Sequence, residues 1–265
     1  MKEILKKTLP VNMVNHISVV KTYFRLRKET ILQMKRFARS YAKRTSCKKE
    51  HIETHIIFLT HQIEKGLSHR NFRYGFGMKV IKQLAVLLPK LRQIDEEYSD
   101  NEVYRMAIAA LHHYKTKHED EHFDLSNVQS CFDEQTWHDI SKEDSNYGGV
   151  LTIEAKDKTK NASLTFPKLM ENRHSIREFA DEQVTAEEII PAIEMAMRTP
   201  SVCNRQPTRV RIITDQAILP KVMKLQGGMN GYPIPPAMIL VTADNQAFMD
   251  SIERNEGFVD GGLFS

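Results

Sequence analysis

Apolar and polar positions in the N-terminal part of the chain recur with the period of an α-helix. Apolar residues at three- and four-residue spacing through 17–44 and 50–66 predict two helices. The pattern resumes at Met78–Leu88 and stops before Pro89, where a helix is expected to end. Asn101–His113 adds another helical stretch. This part of the chain is therefore predicted to be all-α.

The pattern changes after a polar stretch at 141–163, which we interpret as a linker because DSNYGG (144–149) is rich in turn-forming residues. Beyond it, short helices alternate with short strands. The predicted elements are helices at 166–172, from a capping box at Thr185–Glu188 to before Pro200, at 218–226 closed by Gly227-Gly228, and from Asn245, with strands at 210–214 and 237–242. The second strand is apolar except for its last residue, Thr242, which is typical of a buried strand.

These elements predict an α+β fold in which helices flank a sheet, preceded by an all-α region. The predicted division is a helical basic region at 1–140, the linker at 141–163 and an α+β domain at 164–265.

The charge is strongly uneven along the chain. Residues 1–49 hold 14 Lys/Arg and 2 Asp/Glu, whereas the whole chain has a formal net charge of only +4. A basic segment can lie on anionic lipid or on nucleic acid. A solvated face of a packed amphipathic helix explains the pattern more simply, and no aromatic-interleaved basic motif specifies RNA. Peripheral membrane contact of this arm therefore stays open.

The three cysteines, Cys47, Cys131 and Cys203, are odd in number and widely spaced. They predict a reducing, cytoplasmic location rather than a disulfide framework. The pairs His51/His55 and His61/Glu64 have spacings that could place two metal ligands on one helix face. Because no third ligand converges in sequence, we expect no metal site.

One candidate site is the motif RHSIREF (173–179), in which two arginines and a serine lie within five residues. Guanidinium groups bind phosphate through paired hydrogen bonds, and a hydroxyl or backbone N–H can add another. Taken alone, the same composition is also typical of a solvent-facing charged turn.

A second candidate site is PSVCNRQP (200–207), which follows a predicted helix. Its amides, Asn204 and Gln206, can each donate and accept, as the edge of a flavin ring requires. Ser201 and Val202 are small enough for a ring to approach closely. Taken alone, this segment is also typical of a polar loop after a helix.

The order of these motifs, followed by PAMILVT (236–242), resembles the nitroreductase family over about residues 166–265. The resemblance implies an FMN-dependent homodimer with a mixed sheet, which takes hydride from NADH or NADPH and reduces acceptors such as nitroaromatics or quinones. No residue is required as a general acid or base.

By this similarity, Arg173 and Ser175 would hold the FMN phosphate, His174 would contribute through its backbone, and Arg177 would reach the flavin ring. The second motif matches the family segment that contacts FMN bound mainly by the other subunit. Its contributing residues would be Pro200, Ser201, Val202 and Asn204.

The resemblance also implies that the chain carries only the first half of the family's catalytic domain, so that its activity is in question. The stretch HQIEKGLSHRNFRYGFG (61–77) resembles the helical extension of nitroreductase-like proteins from bacterial polysaccharide-biosynthesis loci. The alternative is a non-catalytic binding module or a degenerate flavoprotein remnant that uses its basic helical region on membrane or nucleic acid.

Overall fold

The computed structural model describes residues 10–143 and 147–265. Short 3₁₀ turns join its longer elements. In chain order these elements are α1 (Val11–Ser40), α2 (Lys49–Leu67), α3 (Met78–Ile94), α4 (Glu102–Glu119), α5 (Ser126–Gln129), α6 (Glu134–Lys142), α7 (Phe166–Glu171), α8 (Ala186–Ala196), β1 (Thr208–Ile213), α9 (Leu219–Gln226), β2 (Met238–Ala243) and α10 (Glu256–Phe264).

The chain forms two compact units. The helical unit is Tyr41–Glu178, and the sheet unit joins the described residues up to Ser40 with Phe179–Ser265. These bounds differ from the predicted ones at 1–140, 141–163 and 164–265, because residues 147–178 group with the helices that precede them. The predicted domain division stays a prediction, and residues 144–146 of its linker lie outside the described residues.

The main hydrophobic core lies in the helical unit, where α2, α3 and α4 pack together with α6. Its members are apolar side chains spaced three or four residues apart along each helix, as in Ile56 and Ile63 of α2 and Leu84 and Leu88 of α3. All four are fully buried. Burial of one such side chain contributes about 1.5–3 kcal/mol, so this cluster dominates the stability of the unit.

Polar side chains fix the ends of the core helices. The Asn101 side chain accepts from the backbone N–H groups of Val103 and Tyr104 and so caps α4. Asp133 caps α6 in the same way and accepts from Arg92 of α3 at 2.8 Å. This ion pair joins the last turn of α3 to the first turn of α6.

Helix α3 does not end before Pro89, as the sequence predicts, but continues through it to Ile94. A proline inside a helix costs about 3 kcal/mol. Leu88 and Leu91, which stand on either side of it, are both fully buried in the core. Their burial offsets the lost hydrogen bond, so packing overrides the local stop signal.

The sheet unit contains β1 and β2, which pair antiparallel with Thr208 opposite Ala243 and Ile213 opposite Met238. The α+β combination agrees with the sequence prediction, but the sheet of the described residues has two antiparallel strands and is not mixed. The prediction that 237–242 is a buried strand is wrong, since Ile239 and Leu240 are 48% and 45% exposed. The apolar side chains of β2 stay partly exposed because β1 and α10, which pack against it, do not cover them.

Helix α1 also belongs to the sheet unit. Arg25 lies 3.1 Å from the Asp250 carboxylate, and Arg254 donates to the Gln33 side chain at 2.9 Å. No residue of α1 is buried. Across residues 10–143 and 147–265, no helix combines the length and the apolar character needed to cross a bilayer.

Candidate functional site

The segment 173–178 follows the end of α7 without regular secondary structure and belongs to the helical unit. Lys158 fixes its start, because the ammonium group donates to the backbone and side-chain oxygens of Asn172. His174 Nδ1 lies 2.9 Å from the Asn172 carbonyl and 3.1 Å from Lys158 Nζ. The imidazole is therefore held back toward the helix end.

The last five residues of this segment line an open groove of about 750 Å³ in the helical unit. The opposite wall comes from the end of α2 and the loop after it, from α4, and from the chain after Gly149. The groove is lined by His61, Glu64, Leu67, Ser68, His69, Arg70, Lys117, Gly149, Val150, Leu151, Thr152, Ile153, His174, Ser175, Ile176, Arg177 and Glu178. Its volume is in the range of small-molecule and cofactor sites.

Glu178 ties the two walls of the groove together. Its carboxylate accepts from the Arg70 backbone N–H at 2.9 Å, and the Arg70 Nε lies 3.8 Å from the other oxygen. That second oxygen is buried and has no hydrogen-bond partner among the described residues. The contact spans 108 positions of sequence and joins the end of the 173–178 segment to the loop after α2.

Lys117 of α4 supplies a cation to this groove. Its ammonium group donates to the Leu67 carbonyl at 2.9 Å and lies 4.3 Å from the centre of the Phe72 ring. Partial burial lowers the pKa of Lys117. Within the described part of the chain it makes no ion pair, so its charge is available to an anion in the groove.

The second candidate segment lies in the sheet unit and is a strained loop. Cys203, Asn204 and Gln206 have φ angles of 48°, 53° and 50°, in the left-handed region that side chains other than glycine rarely adopt. The Gln206 side chain donates to the Asn204 amide oxygen at 3.0 Å, and the Gln206 N–H donates to Ser201 Oγ at 2.9 Å. Strain of this kind persists only where surrounding contacts hold it.

Two anchors from later in the chain provide those contacts. Asp260 of α10, which is buried, accepts from the Val202 N–H at 3.3 Å. Arg205 forms two bonds to the Glu253 carboxylate and donates to the Ala247 carbonyl. The cavity beside Pro200 and Ser201 measures about 20 Å³, which is room for one water and not for a flavin ring.

The structure thus places some predicted residues in one groove and assigns others to a different unit. His174, Ser175 and Arg177 line the groove, whereas Arg173 is exposed and is not part of its lining. Pro200, Ser201, Val202 and Asn204 belong to the other unit, and Asn204 is exposed. No group of three or more potential metal ligands occurs among residues 10–143 and 147–265.

Sequence reasoning missed Arg70 and Lys117 as members of the site. Arg70 lies in the motif HQIEKGLSHRNFRYGFG (61–77), six of whose residues line the groove. This motif was the sequence signal that could have indicated Arg70. Lys117 has no comparable local signal, because only the packing of α4 against α2 places it beside the 173–178 segment.

Comparison with known proteins identifies one matching segment. Residues 170–250 match the model of the nitroreductase family, and the match contains both candidate segments. It covers less than one third of the chain. No curated protein and no solved structure is detectably similar to the chain.

Proposed function

We propose that this chain acts as an FMN-dependent oxidoreductase that passes hydride from NADH or NADPH, by way of the flavin, to a small-molecule acceptor. The family match over 170–250 supports flavin-dependent redox chemistry as the general class. The observation that carries the proposal is the groove of the helical unit, which Ser175 and Arg177 of the matched segment line together with Arg70 and Lys117.

The donors of the groove fit the phosphate group of FMN. A phosphate carries about two negative charges and several acceptor oxygens, and guanidinium, ammonium and hydroxyl groups satisfy it through charge-assisted bonds. The groove offers all three types in Arg177, Lys117 and Ser175. The Arg70 guanidinium adds a fourth donor, although Glu178 already takes part of its charge.

Three polar residues of the groove have distinct roles in flavin binding. Ser175 and Lys117 bind the phosphate, and Arg177 extends from the same segment toward the ring, where a cation favours electron acceptance. Bound flavin supplies the hydride chemistry itself, which the protein only orients and tunes. Val150 and Ile153, which are half-buried, give one side of the groove an apolar lining.

A second copy of the chain completes the proposed site. By the resemblance of this segment to the family, the loop at 200–204 would contact flavin held mainly by the other subunit, and its own cavity of about 20 Å³ is too small for a flavin ring. We further propose a cytoplasmic location, and a role in surface-polysaccharide biosynthesis on the resemblance of 61–77. The homodimer, the location and the biosynthetic role are proposals that go beyond the general class of flavin-dependent redox chemistry.

Flavin titration of the purified full chain tests the proposal. We expect quenching of FMN fluorescence on binding, and binding about 10- to 100-fold weaker in Arg177→Gln, because a hydrogen bond to a charged group is worth about 1.5–3 kcal/mol. Arg211→Gln is the matched control, since Arg211 is an exposed arginine of β1 outside the groove. A chain that leaves FMN fluorescence unchanged at all concentrations contradicts the proposal.

A further inference from the structure

Helix α1 turns a polar edge toward its own unit and an apolar face away from it. At 100° per residue, Arg25 and Gln33, which bond to Asp250 and Arg254, lie on one edge of the helix. Val20 and Ile31 lie on roughly the opposite side. A helix that packs on a globular domain normally has the reverse arrangement, with its apolar stripe inward.

The outward face is broad and rich in aromatic residues. Tyr23, Phe24, Met34 and Phe37 are 60–69% exposed, and Val19 is 67% exposed. The apolar positions cover more than the narrow stripe of a coiled coil, because Val19, Tyr23 and Phe37 lie beside Val20, Phe24, Ile31, Met34 and Ala38. Arg27 interrupts this face between Phe24 and Ile31, where its aliphatic stem can lie along the apolar side chains while the guanidinium group reaches the surface. An exposed apolar patch of this kind indicates an interaction surface.

Basic residues border this face. Lys21, Lys28 and Lys35 recur every seven residues and therefore form one row along the helix beside the apolar face. The whole helix carries seven Lys/Arg and a single acidic residue, Glu29. Of these cations only Arg25 forms an ion pair within the described part of the chain, so the lysine row keeps its charge.

We propose that α1 lies flat on an anionic phospholipid surface, with its apolar face among the acyl chains and its lysine row at the lipid phosphates. An exposed apolar face beside a basic row is the property that places a helix in the membrane interface. Each lysine near an anionic leaflet contributes about 1 kcal/mol. The polar edge stays in water and holds the sheet unit above the surface.

Charge and shape favour lipid over the other possible occupants. A second copy of α1 would bring two helices of equal positive charge together, and the apolar face is wider than a helix pair requires. The phosphates of a nucleic acid could pair with the lysine row, but its backbone offers no apolar surface to cover Val20, Ile31 and Met34. An anionic bilayer satisfies both features at once.

Vesicle flotation of the full chain tests the proposal. We expect binding to vesicles of phosphatidylcholine with phosphatidylglycerol at 50 mM salt, little binding to pure phosphatidylcholine, and weaker binding at 500 mM salt. Changing Lys21, Lys28 and Lys35 to Gln should weaken the partition about five-fold per lysine, or about a hundred-fold together. The same change at Lys79, Lys82 and Lys90 of α3, which are exposed, is the matched control.

A second variant tests the apolar face. Phe24→Gln with Ile31→Gln should abolish flotation at both salt concentrations, whereas Phe258→Gln, at an 82% exposed phenylalanine of α10, should leave it unchanged. Circular dichroism verifies that each variant keeps its helix content. Equal flotation with both kinds of vesicle, no flotation at all, or retention of a single-stranded RNA but not of vesicles would overturn the proposal.

Discussion

Arg205 and Glu253 hold each other through two hydrogen bonds of 2.6 and 3.0 Å, across 48 residues of sequence. The same carboxylate also accepts from the backbone N–H of Met249 at 2.7 Å. These bonds join the strained loop at 200–207 to the turns before α10. The geometry of the loop therefore depends on residues that lie beyond the end of β2.

Protonation of Glu253 should release this loop. The bond from Arg205 and those from the backbone lower the pKa of Glu253 to about 2, from an ordinary value of 4.5. Since the folded state has the lower pKa, the stabilisation is complete above pH 4.5 and is lost as the pH falls toward 2. Glu253→Gln should flatten the fall of the melting temperature between pH 5 and 2. Parallel curves for the variant and the parent chain would contradict this.

His118 should produce a second pH dependence, at higher pH and in the helical unit. The ring is fully buried, Nε2 accepts from the Gly75 N–H at 2.9 Å, and Nδ1 lies 2.6 Å from the Tyr114 carbonyl. These bonds define a neutral ring protonated on Nδ1, and burial lowers the pKa of His118 below 6.5.

Because the unfolded chain binds a proton more readily than buried His118, stability is complete above pH 6.5 and falls below it. Urea unfolding from pH 7.5 to 5 should show this decline in the parent chain and a weaker one in His118→Gln. His138→Gln, at an exposed histidine, is the control and should keep the full decline.

Because buried side chains are concentrated in the helical unit, replacing a leucine by alanine should change the free energy of unfolding more there than in the sheet. Leu84 is fully buried in the core of the helical unit, whereas Leu240 of β2 is 45% exposed. Leu84→Ala should lower the free energy of unfolding by about 2–5 kcal/mol. Leu240→Ala should lower it by less than about 1 kcal/mol. Equal losses in urea titrations would show that β2 is buried in solution, for instance against a second copy.

Gly66 should not tolerate alanine, although it lies inside α2. Alanine normally stabilises a helix interior by about 1 kcal/mol relative to glycine. Here the added Cβ would overlap the Phe76 ring. Gly66→Ala should therefore destabilise the unit by about 1–3 kcal/mol, and Phe76→Leu in the same chain should recover part of the loss. A more stable single variant would show that the ring moves aside freely.

Lys117 should contribute to flavin affinity if the helical unit shares the phosphate site. Lys117→Gln removes the unpaired charge and should weaken FMN binding about ten-fold, by the value of one charge-assisted bond. Lys117→Arg, which keeps the charge, should lose less. An unchanged affinity in Lys117→Gln, alongside a loss in Arg177→Gln, would confine the phosphate site to the 173–178 segment.

Local signals predicted individual elements well. The capping box at Thr185 and Glu188 forms both of its bonds, and Gly227 ends α9 with a φ of 73°. These features depend on residues four or fewer apart, which a sequence pattern contains. Pro89 was misleading because its local effect is offset by the burial of Leu88 and Leu91, which depends on other helices.

The candidate site was predicted only in part, for a related reason. The motif at 173–177 is visible in sequence, and four of its members line the groove. Its association with the helical unit depends on the contact between Glu178 and Arg70, and the charge of Lys117 comes from a different helix. Such long-range pairs have no periodic signature in a single sequence.

The three left-handed residues at 203, 204 and 206 have a consequence for how this loop can change. Each carries a side chain where glycine would relax the backbone by about 1–2 kcal/mol. Glycine at Cys203 should therefore raise the melting temperature of the sheet unit. At Asn204 or Gln206 the same gain is opposed by the loss of the hydrogen bond between the two amides, so the loop keeps its shape partly through the side chains that its backbone disfavours.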